Sequence, residues 1–222
     1  MKYLKTPSSS QPLPTTKINT VDWESQWAQF APGFKRGKAH IDLSRYGTKK
    51  TLLLQPGPGF GDLSHPTTSL MLFLMAKEMH GRVALDIGCG SGILSLAALL
   101  MGAEKAFGID IDDGALLHAR QNAKLNHLQQ SGHFAKTLPK RFSGVVLINM
   151  ILSEQRQVLQ KIPDLPSRAS LWIASGFLVE QRKDALDFTN ELGLHLLEER
   201  EENGWMALKL SPSIFKKSLA AI

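Results

Sequence analysis

The stretch VALDIGCGSGILSLAALLMGAEKAFGIDI, residues 83–111, contains an apolar strand, a glycine-rich turn, an apolar helix and a second apolar strand. This order of elements is typical of a parallel sheet with helices on both faces. In such sheets, ligands bind beyond the carboxyl ends of the strands, and the glycine turn after the first strand marks that position. We therefore expect a binding site beside Gly88, Gly90 and Gly92.

The rest of the chain continues the same alternation of strands and helices. An apolar helix is predicted to begin at Thr67 and Thr68 and to close at Gly81. Five further strands are predicted around residues 132–137, 144–149, 169–174, 194–200 and 205–210, with helices at 113–126, 153–162 and 180–192. The last two strands flank the turn-prone EENG, which predicts an antiparallel hairpin at one sheet edge. The sequence thus predicts an α/β fold: a doubly wound, mostly parallel, seven-stranded sheet with a C-terminal antiparallel hairpin.

The ends of the chain differ in composition from its centre. Residues 1–20, rich in Ser, Thr, Pro and Lys, predict a disordered basic tail, and residues 213–222 a second tail. Residues 21–58 predict a linker helix and short strands that pack on the core, and residues 59–212 the main domain. The linker helix is expected at VDWESQWAQF, with Asp22 as its cap. Its apolar side is expected to contain Val21, Trp23, Trp27 and Phe30.

Composition limits the classes of function. The chain has 222 residues and a formal charge of +6, an excess that serves solubility more often than nucleic-acid binding. A single cysteine, Cys89, excludes an internal disulfide, and the histidines lack paired ligand spacing, so we expect no metal site. No secretory signal or membrane-spanning apolar run is present, so we expect a cytoplasmic protein. The oligomeric state is not indicated.

The glycine turn favours a ligand other than a dinucleotide. Its pattern, Gly88-x-Gly90-x-Gly92, lacks the spacing of G-x-G-x-x-G, and Asp86 stands within the motif. We expect the glycines to let backbone amides approach the ligand. Asp110 ends the second strand, where a carboxylate can accept hydrogen bonds from both hydroxyls of a ribose. The pattern therefore predicts an S-adenosylmethionine site; the alternative is a packing turn with Asp110 as a helix cap.

Three stretches together resemble one family of enzymes. GFGDLSHPTT is similar to F-G-T-G-x-H-x-T-T, residues 85–126 match a cofactor-binding core, and VVLINMIL is similar to V-V-A-N-I-L. These are motifs of the PrmA family, class I S-adenosylmethionine-dependent methyltransferases that methylate amines of ribosomal protein L11. The resemblance spans roughly residues 21–210. It implies S-adenosylmethionine as the cofactor, a protein substrate with a ribosomal protein as one candidate, and no binding of membrane.

The resemblance also implies roles for individual residues. Thr68 is expected at the methionine end of the cofactor, Gly88 in its cradle, Asp110 at the ribose and Asn149 where cofactor and acceptor meet. The full set of expected cofactor-binding residues is Thr68, Asp86, Gly88, Gly90, Gly92, Asp110, Ile111 and Asn149. The expected substrate-binding residues are Phe60, His65, Asn149 and Met150, and the expected catalytic residues are Asn149 and His65.

Chemistry supports the position of Asn149 independently. Methyl transfer requires an aligned neutral amine, and the side-chain oxygen of Asn149 can accept a hydrogen bond from that amine, while the apolar Met150 and Ile151 exclude water. No N-P-P-aromatic run follows this strand, which disfavours a flat base as acceptor. His65 has two interpretations. Either it orients or deprotonates the amine, or it caps the helix at Thr67.

Departures from the family pattern leave three functions open. Asp62 and Leu63 replace the family's Thr-Gly, and the chain is too short before its first helix for the family's N-terminal substrate-recognition domain. The leading hypothesis is an N-methyltransferase acting on a lysine or N-terminal amine of a protein. A second is a catalytically weak, cofactor-binding interaction module. A third, an RNA methyltransferase, is favoured only by the basic charge, for example at Lys35, Arg36 and Lys38; direct nucleic-acid binding is not expected.

Overall fold

The computed structural model describes residues 21–213, which fold around a seven-stranded sheet. The strands are β1 (Phe34–Lys35), β2 (Lys38–Asp42), β3 (Thr51–Leu54), β4 (Val83–Ile87), β5 (Lys105–Ile109), β6 (Gly132–Ala135), β7 (Gly144–Asn149), β8 (Ala169–Leu178), β9 (Leu194–Glu202) and β10 (Trp205–Pro212). The helices are α1 (Trp23–Phe30), α2 (Pro66–Met75), α3 (Ile93–Leu100), α4 (Asp113–Leu125), α5 (Leu152–Gln160), α6 (Leu165–Arg168) and α7 (Arg182–Glu191). The predicted tail at 1–20, and the tail predicted at 213–222 except for Ser213, lie outside the described residues.

The large sheet has the order β6-β5-β4-β7-β8-β10-β9. The first five strands run parallel, whereas β10 is antiparallel to both β8 and β9. Strand β10 is thus inserted next to β8, and β9 forms the sheet edge. The predicted fold class, including the C-terminal hairpin, is confirmed.

The register of the parallel strands brings three strand ends together. Ile87 of β4 pairs with Ile109 of β5 on one side and with Ile148 of β7 on the other. The next residues along these strands are Gly88, Asp110 and Asn149. These three residues therefore lie at the same level, at the carboxyl edge of the sheet.

Two apolar layers cover the sheet. One contains buried side chains of α2 and α3, such as Leu72 and Leu96, and the other contains Trp172 and Phe177 of β8 with Phe188 of α7. Buried residues on both faces explain why the central strands are continuous apolar runs rather than alternating ones. Within residues 21–213, no helix has the length and apolar character that crossing a membrane requires.

The elements before α2 form a small separate sheet and one helix. Strands β1, β2 and β3 pair antiparallel. Helix α1 begins where predicted, because Oδ1 of Asp22 accepts a 3.1 Å hydrogen bond from the Ser25 amide. Of its expected apolar side, Trp27 is buried, but Phe30 is 61% exposed and Val21 is 49% exposed. Only part of that side packs on the core.

Helix α2 is shorter than predicted. It begins at Pro66 but ends at Met75 rather than at Gly81. Ala76 turns to an extended ψ of 130°, and Lys77 takes a left-handed φ of 69°. The amide of Gly81 donates to the carbonyl of Gly102, so this segment already runs toward β4. The spacing of apolar residues in the sequence does not indicate that the chain leaves the helix after Met75.

Candidate functional site

A cavity of about 620 Å³ opens beyond the carboxyl ends of β4, β5 and β7. This volume is ordinary for a small-molecule site, which spans roughly 300–1,000 Å³. Its lining includes Pro58, Gly59, Phe60, His65, Thr67, Gly88, Gly90, Asp110, Ile111, Asp112, Asn149, Met150, Ile151, Glu154, Gly176 and Trp205. Most of the predicted site residues are thus brought to one place.

The backbone amides of the glycine turn donate hydrogen bonds to other groups of the protein. The amides of Gly88 and Cys89 both donate to the carbonyl of Ile109, at 2.8 and 3.0 Å. The amide of Gly90 donates to Oδ2 of Asp110 at 3.0 Å. Each of these three amides thus has an acceptor within the protein, and our expectation that the glycine amides approach the ligand stays a prediction.

The glycines are needed for close approach of other groups. Gly88 and Gly90 have positive φ values of 71° and 53°. A Cβ at Gly88 would lie 2.8 Å from Sδ of Met150, and one at Gly90 would lie 2.6 Å from the carbonyl oxygen of Phe60. The turn thus creates its cradle by lacking side chains.

Residues 59–63 lie directly on this turn, and we call them the lid segment. The amide of Ser91 donates to the carbonyl of Phe60 at 2.9 Å, and Oγ of Ser91 donates to the carbonyl of Gly61 at 2.6 Å. A Cβ at Gly59 would lie 2.5 Å from the backbone of Gly90. The lid segment and the glycine turn therefore form one packed unit.

Asp110 organises the turn from the end of β5. Besides the bond from Gly90, its Oδ1 accepts from the amide of Asp112 at 3.0 Å. Each carboxylate oxygen keeps a second lone pair for a ligand in the cavity. Ile111, the next residue, is 91% exposed and lines the cavity, so it offers an apolar face beside this carboxylate.

Two predicted cofactor-binding residues lie behind the cavity rather than on its surface. Asp86 is buried, and its Oδ2 accepts from the amide and hydroxyl of Ser95 on α3, at 3.0 and 2.7 Å. Burial raises the pKa of Asp86 to about 6, although the Ser95 bonds lower it in part. Gly92 precedes α3 with a φ of 80° and faces Ala119 and Phe134. Both residues support the turn from below.

The two threonines of α2 are placed differently. Thr67 lines the cavity, whereas Thr68 is fully buried. The hydroxyl of Thr68 has no hydrogen-bond partner among the described residues. A buried hydroxyl without a partner is costly, so this atom is suited to meet a polar group of a bound molecule.

His65 caps α2. Its Nδ1 accepts from the amide of Thr67 at 3.3 Å and lies 2.8 Å from the Thr67 hydroxyl. Since an amide only donates, Nδ1 must accept, and the ring proton must be on Nε2. Burial lowers the pKa of His65, and the nearby carboxylate of Asp62 offsets part of this shift. In this neutral tautomer, Nε2 donates a hydrogen bond and does not accept a proton. The geometry matches the capping alternative.

The two residues that depart from the family pattern do not enter the cavity. Oδ1 of Asp62 accepts from the amide of Ser64 at 2.9 Å, which forms a local turn. Leu63 takes a left-handed φ of 71°, a conformation that favours glycine, and its side chain packs against the core. The replaced pair therefore preserves the turn and adds local strain.

Asn149 lies at the end of β7 on a turn that other residues fix. Nε2 of the buried Gln155 donates to the carbonyls of Met150 and Ser175, at 2.7 and 2.9 Å. A Cβ at Gly176 would lie 2.0 Å from the carbonyl oxygen of Met150. The position of Asn149 thus depends on two residues that the sequence analysis did not select.

Aromatic and aliphatic side chains surround the opening of the cavity. The rings of Phe60 and Trp205 contact the ring of His65 edge-on, with centroids 5.7 and 4.6 Å away. Phe60 and Ile151 are 56% and 51% exposed. Trp205 was expected only as a strand residue, because its approach to His65 spans 140 residues and leaves no local sequence pattern.

Other reactive groups are absent from the described part of the chain or are inert. Residues 21–213 contain no group of three or more His, Cys, Asp or Glu side chains arranged to hold a metal ion. Cys89 is buried, and burial raises the pKa of its thiol far above the usual range. The thiol is therefore not a nucleophile at neutral pH.

Residues 2–212 match the family model described as Ribosomal protein L11 methyltransferase (PrmA). A ribosomal protein L11 methyltransferase of Pseudomonas aeruginosa is 36% identical over 202 residues, covering 86% of this chain and 68% of that protein. One of Thermoanaerobacter pseudethanolicus is 30% identical over 203 residues, covering 87% of this chain and 66% of that protein. The chain spans about two-thirds of the length of these relatives.

A solved structure agrees with the sequence relatives. The crystal structure of a ribosomal protein L11 methylase from Lactobacillus delbrueckii subsp. bulgaricus has a TM-score of 0.65 and 27% sequence identity to this chain. The match covers 74% of this chain and 86% of that one.

Proposed function

The chain belongs to the ribosomal protein L11 methyltransferase (PrmA) family, as its motifs indicated, and from this premise we propose that it transfers methyl groups to a lysine or N-terminal amine of a protein. Its cofactor is S-adenosylmethionine. The observation that carries the proposal is the meeting of Gly88, Asp110 and Asn149 at one level of the sheet, on a single cavity.

The residues of the cavity fit this cofactor. A turn without side chains at Gly88 and Gly90 leaves room for it, and the carboxylate of Asp110 suits a ribose. Thr68, which is expected at the methionine end, is fully buried and does not line the cavity, so its hydroxyl does not contribute to this fit. Carboxylates of Asp110, Asp112 and Glu154 line the cavity together with the single cation of Lys161, and this excess of carboxylates favours a cationic ligand. When bound, the cofactor supplies a methyl group activated by a positively charged sulfur.

The acceptor is then held by the other half of the cavity. The side-chain oxygen of Asn149 accepts a hydrogen bond from the amine and aims its lone pair. Phe60, Met150 and Ile151 exclude water, and this apolar surrounding favours the neutral amine over the ammonium ion. Nε2 of His65 lines the same cavity and donates to a carbonyl of the acceptor protein rather than to the amine, whose lone pair must stay free. The amine loses its proton to solvent before it enters.

The observations favour an enzyme over an interaction module. Asp62 and Leu63, which motivated the module, form a local turn and do not line the cavity. The positions of the basic residues favour a protein over RNA as the acceptor. Lys35, Arg36 and Lys38 lie on the β1–β2 hairpin and do not line the cavity. A ribosomal protein is the leading substrate candidate, and it places the activity in the cytoplasm.

Labelled S-adenosylmethionine tests this function directly. The full chain is incubated separately with purified ribosomal proteins and with ribosomal RNA, and cofactor binding is measured by calorimetry. We expect label in at least one protein and none in RNA. Binding without transfer to any protein would support the interaction module, and label in RNA alone would support the third hypothesis.

A further inference from the structure

The ring of His118, on α4, fills the inside of the loop formed by residues 55–59. Its Nε2 lies 2.7 Å from the carbonyl oxygen of Gln55, and its Nδ1 lies 3.2 Å from the amide nitrogen of Gly59. A Cβ at Gly57 would lie 2.6 Å from the ring. His118 therefore contacts both ends of the loop and the middle.

These contacts determine the proton on the ring. The amide of Gly59 only donates, so Nδ1 must accept and Nε2 must carry the proton that is donated to Gln55. Burial lowers the pKa of His118, which the Gln55 bond raises in part, and the residue is 2% exposed. Because Nδ1 accepts from the Gly59 amide and carries no proton, the ring is neutral, and its two nitrogens make two different bonds.

The loop end that His118 holds is the start of the lid segment. Gly59 lies against the backbone of Gly90, and the carbonyl of Phe60 accepts from the amide of Ser91. The ring of Phe60 stands at the cavity opening, next to His65. A change at Nδ1 of His118 is thus transmitted through one residue to a side chain that would face the acceptor.

We propose that His118 is a positioning residue for methyl transfer, which acts by holding the Gly59 amide through Nδ1 and so sets the place of Phe60. The inference rests on the proposed function, since it assigns the acceptor side of the same cavity. The bond to Gln55 contributes to folding, whereas the bond to Gly59 fixes the acceptor entrance.

Two substitutions separate the two bonds. In His118→Asn, the amide oxygen takes the place of Nδ1 and keeps an acceptor for Gly59. In His118→Gln, the amide nitrogen takes the place of Nε2 and keeps only the donor to Gln55. Asn126→Ala, at the C-terminal cap of α4, is the control, because it removes the bonds to Leu53 of β3 and leaves the lid segment untouched.

The first readout is methyl transfer with the full chain. We expect His118→Gln to lower kcat/KM for the protein acceptor by about tenfold or more, while the Kd for S-adenosylmethionine changes by less than about threefold. His118→Asn restores most of this loss at a comparable Tm, and Asn126→Ala lowers Tm without lowering kcat/KM. Equal losses in both His118 variants, or full activity in His118→Gln, would overturn the proposal.

The second readout does not depend on activity. Hydrogen exchange of the Gly59 amide is expected to stay slow in the native chain and in His118→Asn, and to become at least about tenfold faster in His118→Gln. Unchanged exchange in His118→Gln would overturn the proposal even if transfer were lost. Conversely, a native chain that methylates no protein contradicts the proposed function, and the exchange result still decides whether His118 holds Gly59.

Discussion

The amide of Ser91 donates to the carbonyl of Phe60, so that the glycine turn and the lid segment are joined by a direct backbone hydrogen bond of 2.9 Å. The hydroxyl of Ser91 adds a second bond, to the carbonyl of Gly61. The glycine turn and the lid segment are therefore not two independent loops. A change in either one is expected to affect the other.

Removing the Ser91 hydroxyl tests whether the glycine turn and the lid segment affect each other. Ser91→Ala deletes the bond to Gly61 and the longer bond from the Ile93 amide, and is expected to lower the free energy of unfolding by about 1–2 kcal/mol, with a loss of methyl transfer larger than the loss of stability explains. The matched control is Ser170→Ala, which also loses a bond to a carbonyl, that of Gly144 at the start of β7. Denaturant unfolding and transfer assays compare the two. Equal methyl transfer by Ser91→Ala and Ser170→Ala would contradict the expected coupling between the glycine turn and the lid segment.

Gln155 is expected to hold the Asn149 turn. Gln155→Leu leaves the carbonyls of Met150 and Ser175 without their donor, so we expect unfolding to become easier by about 2 kcal/mol and transfer to fall. Gln160→Leu, an exposed position on the same helix, is the control. Steady-state kinetics at a temperature where both variants are folded decides the question. A native kcat in Gln155→Leu would show that the turn at Asn149 keeps its conformation without the Gln155 hydrogen bonds.

Buried Asp86 makes stability depend on pH. Its pKa is about 6 in the folded chain and near 3.8 when exposed, so the folded state binds more protons between these values and the free energy of unfolding falls as pH rises through this range. Asp86→Asn removes this contribution. We expect the variant to be more stable than the native chain at pH 8, by up to about 3 kcal/mol, and to lose the advantage below pH 4. The free energy of unfolding of both proteins is measured at pH 8 and below pH 4. A difference between Asp86→Asn and the native chain that does not change with pH would contradict the proposed role of Asp86.

Restoring the family pattern in the lid segment tests whether the departures weakened the enzyme. In the double variant Asp62→Thr, Leu63→Gly, glycine takes the φ of 71° without strain but loses the packing of Leu63. We expect a change in unfolding free energy within about 1 kcal/mol, and transfer within about threefold of native. Parallel kinetics of both proteins would show this. A large gain of transfer would instead favour the interaction module.

The fold and the strand-end residues could be predicted from sequence because both have local patterns. Apolar runs and the glycine turn predict the order of strands, and the parallel sheet then places Asp110 and Asn149 beside Gly88. The supporting contacts have no such pattern. Gln155 reaches Ser175 across 20 residues, and Gly59 meets His118 across 59, through side-chain contacts that periodicity does not encode.

The hydrogen bonds of the glycine turn also lack a local sequence pattern. A G-x-G-x-G pattern shows that side chains are excluded, but it does not show where the amides point. Here the carbonyl of Ile109 and the carboxylate of Asp110 accept them, and both acceptors come from the neighbouring strand. Only the pairing of β4 with β5 reveals this.

Site-resolved mass spectrometry of purified ribosomal proteins tests the central claim most directly. The proteins are incubated with S-adenosylmethionine and either the native chain or Asn149→Ala, whose cofactor binding is checked by calorimetry. We expect methyl groups on lysine or N-terminal amines with the native chain, and a loss of about 100-fold or more with Asn149→Ala, because the amine is no longer aligned. Methylation by Asn149→Ala at the native rate, or no methylated amine with the native chain, would contradict it.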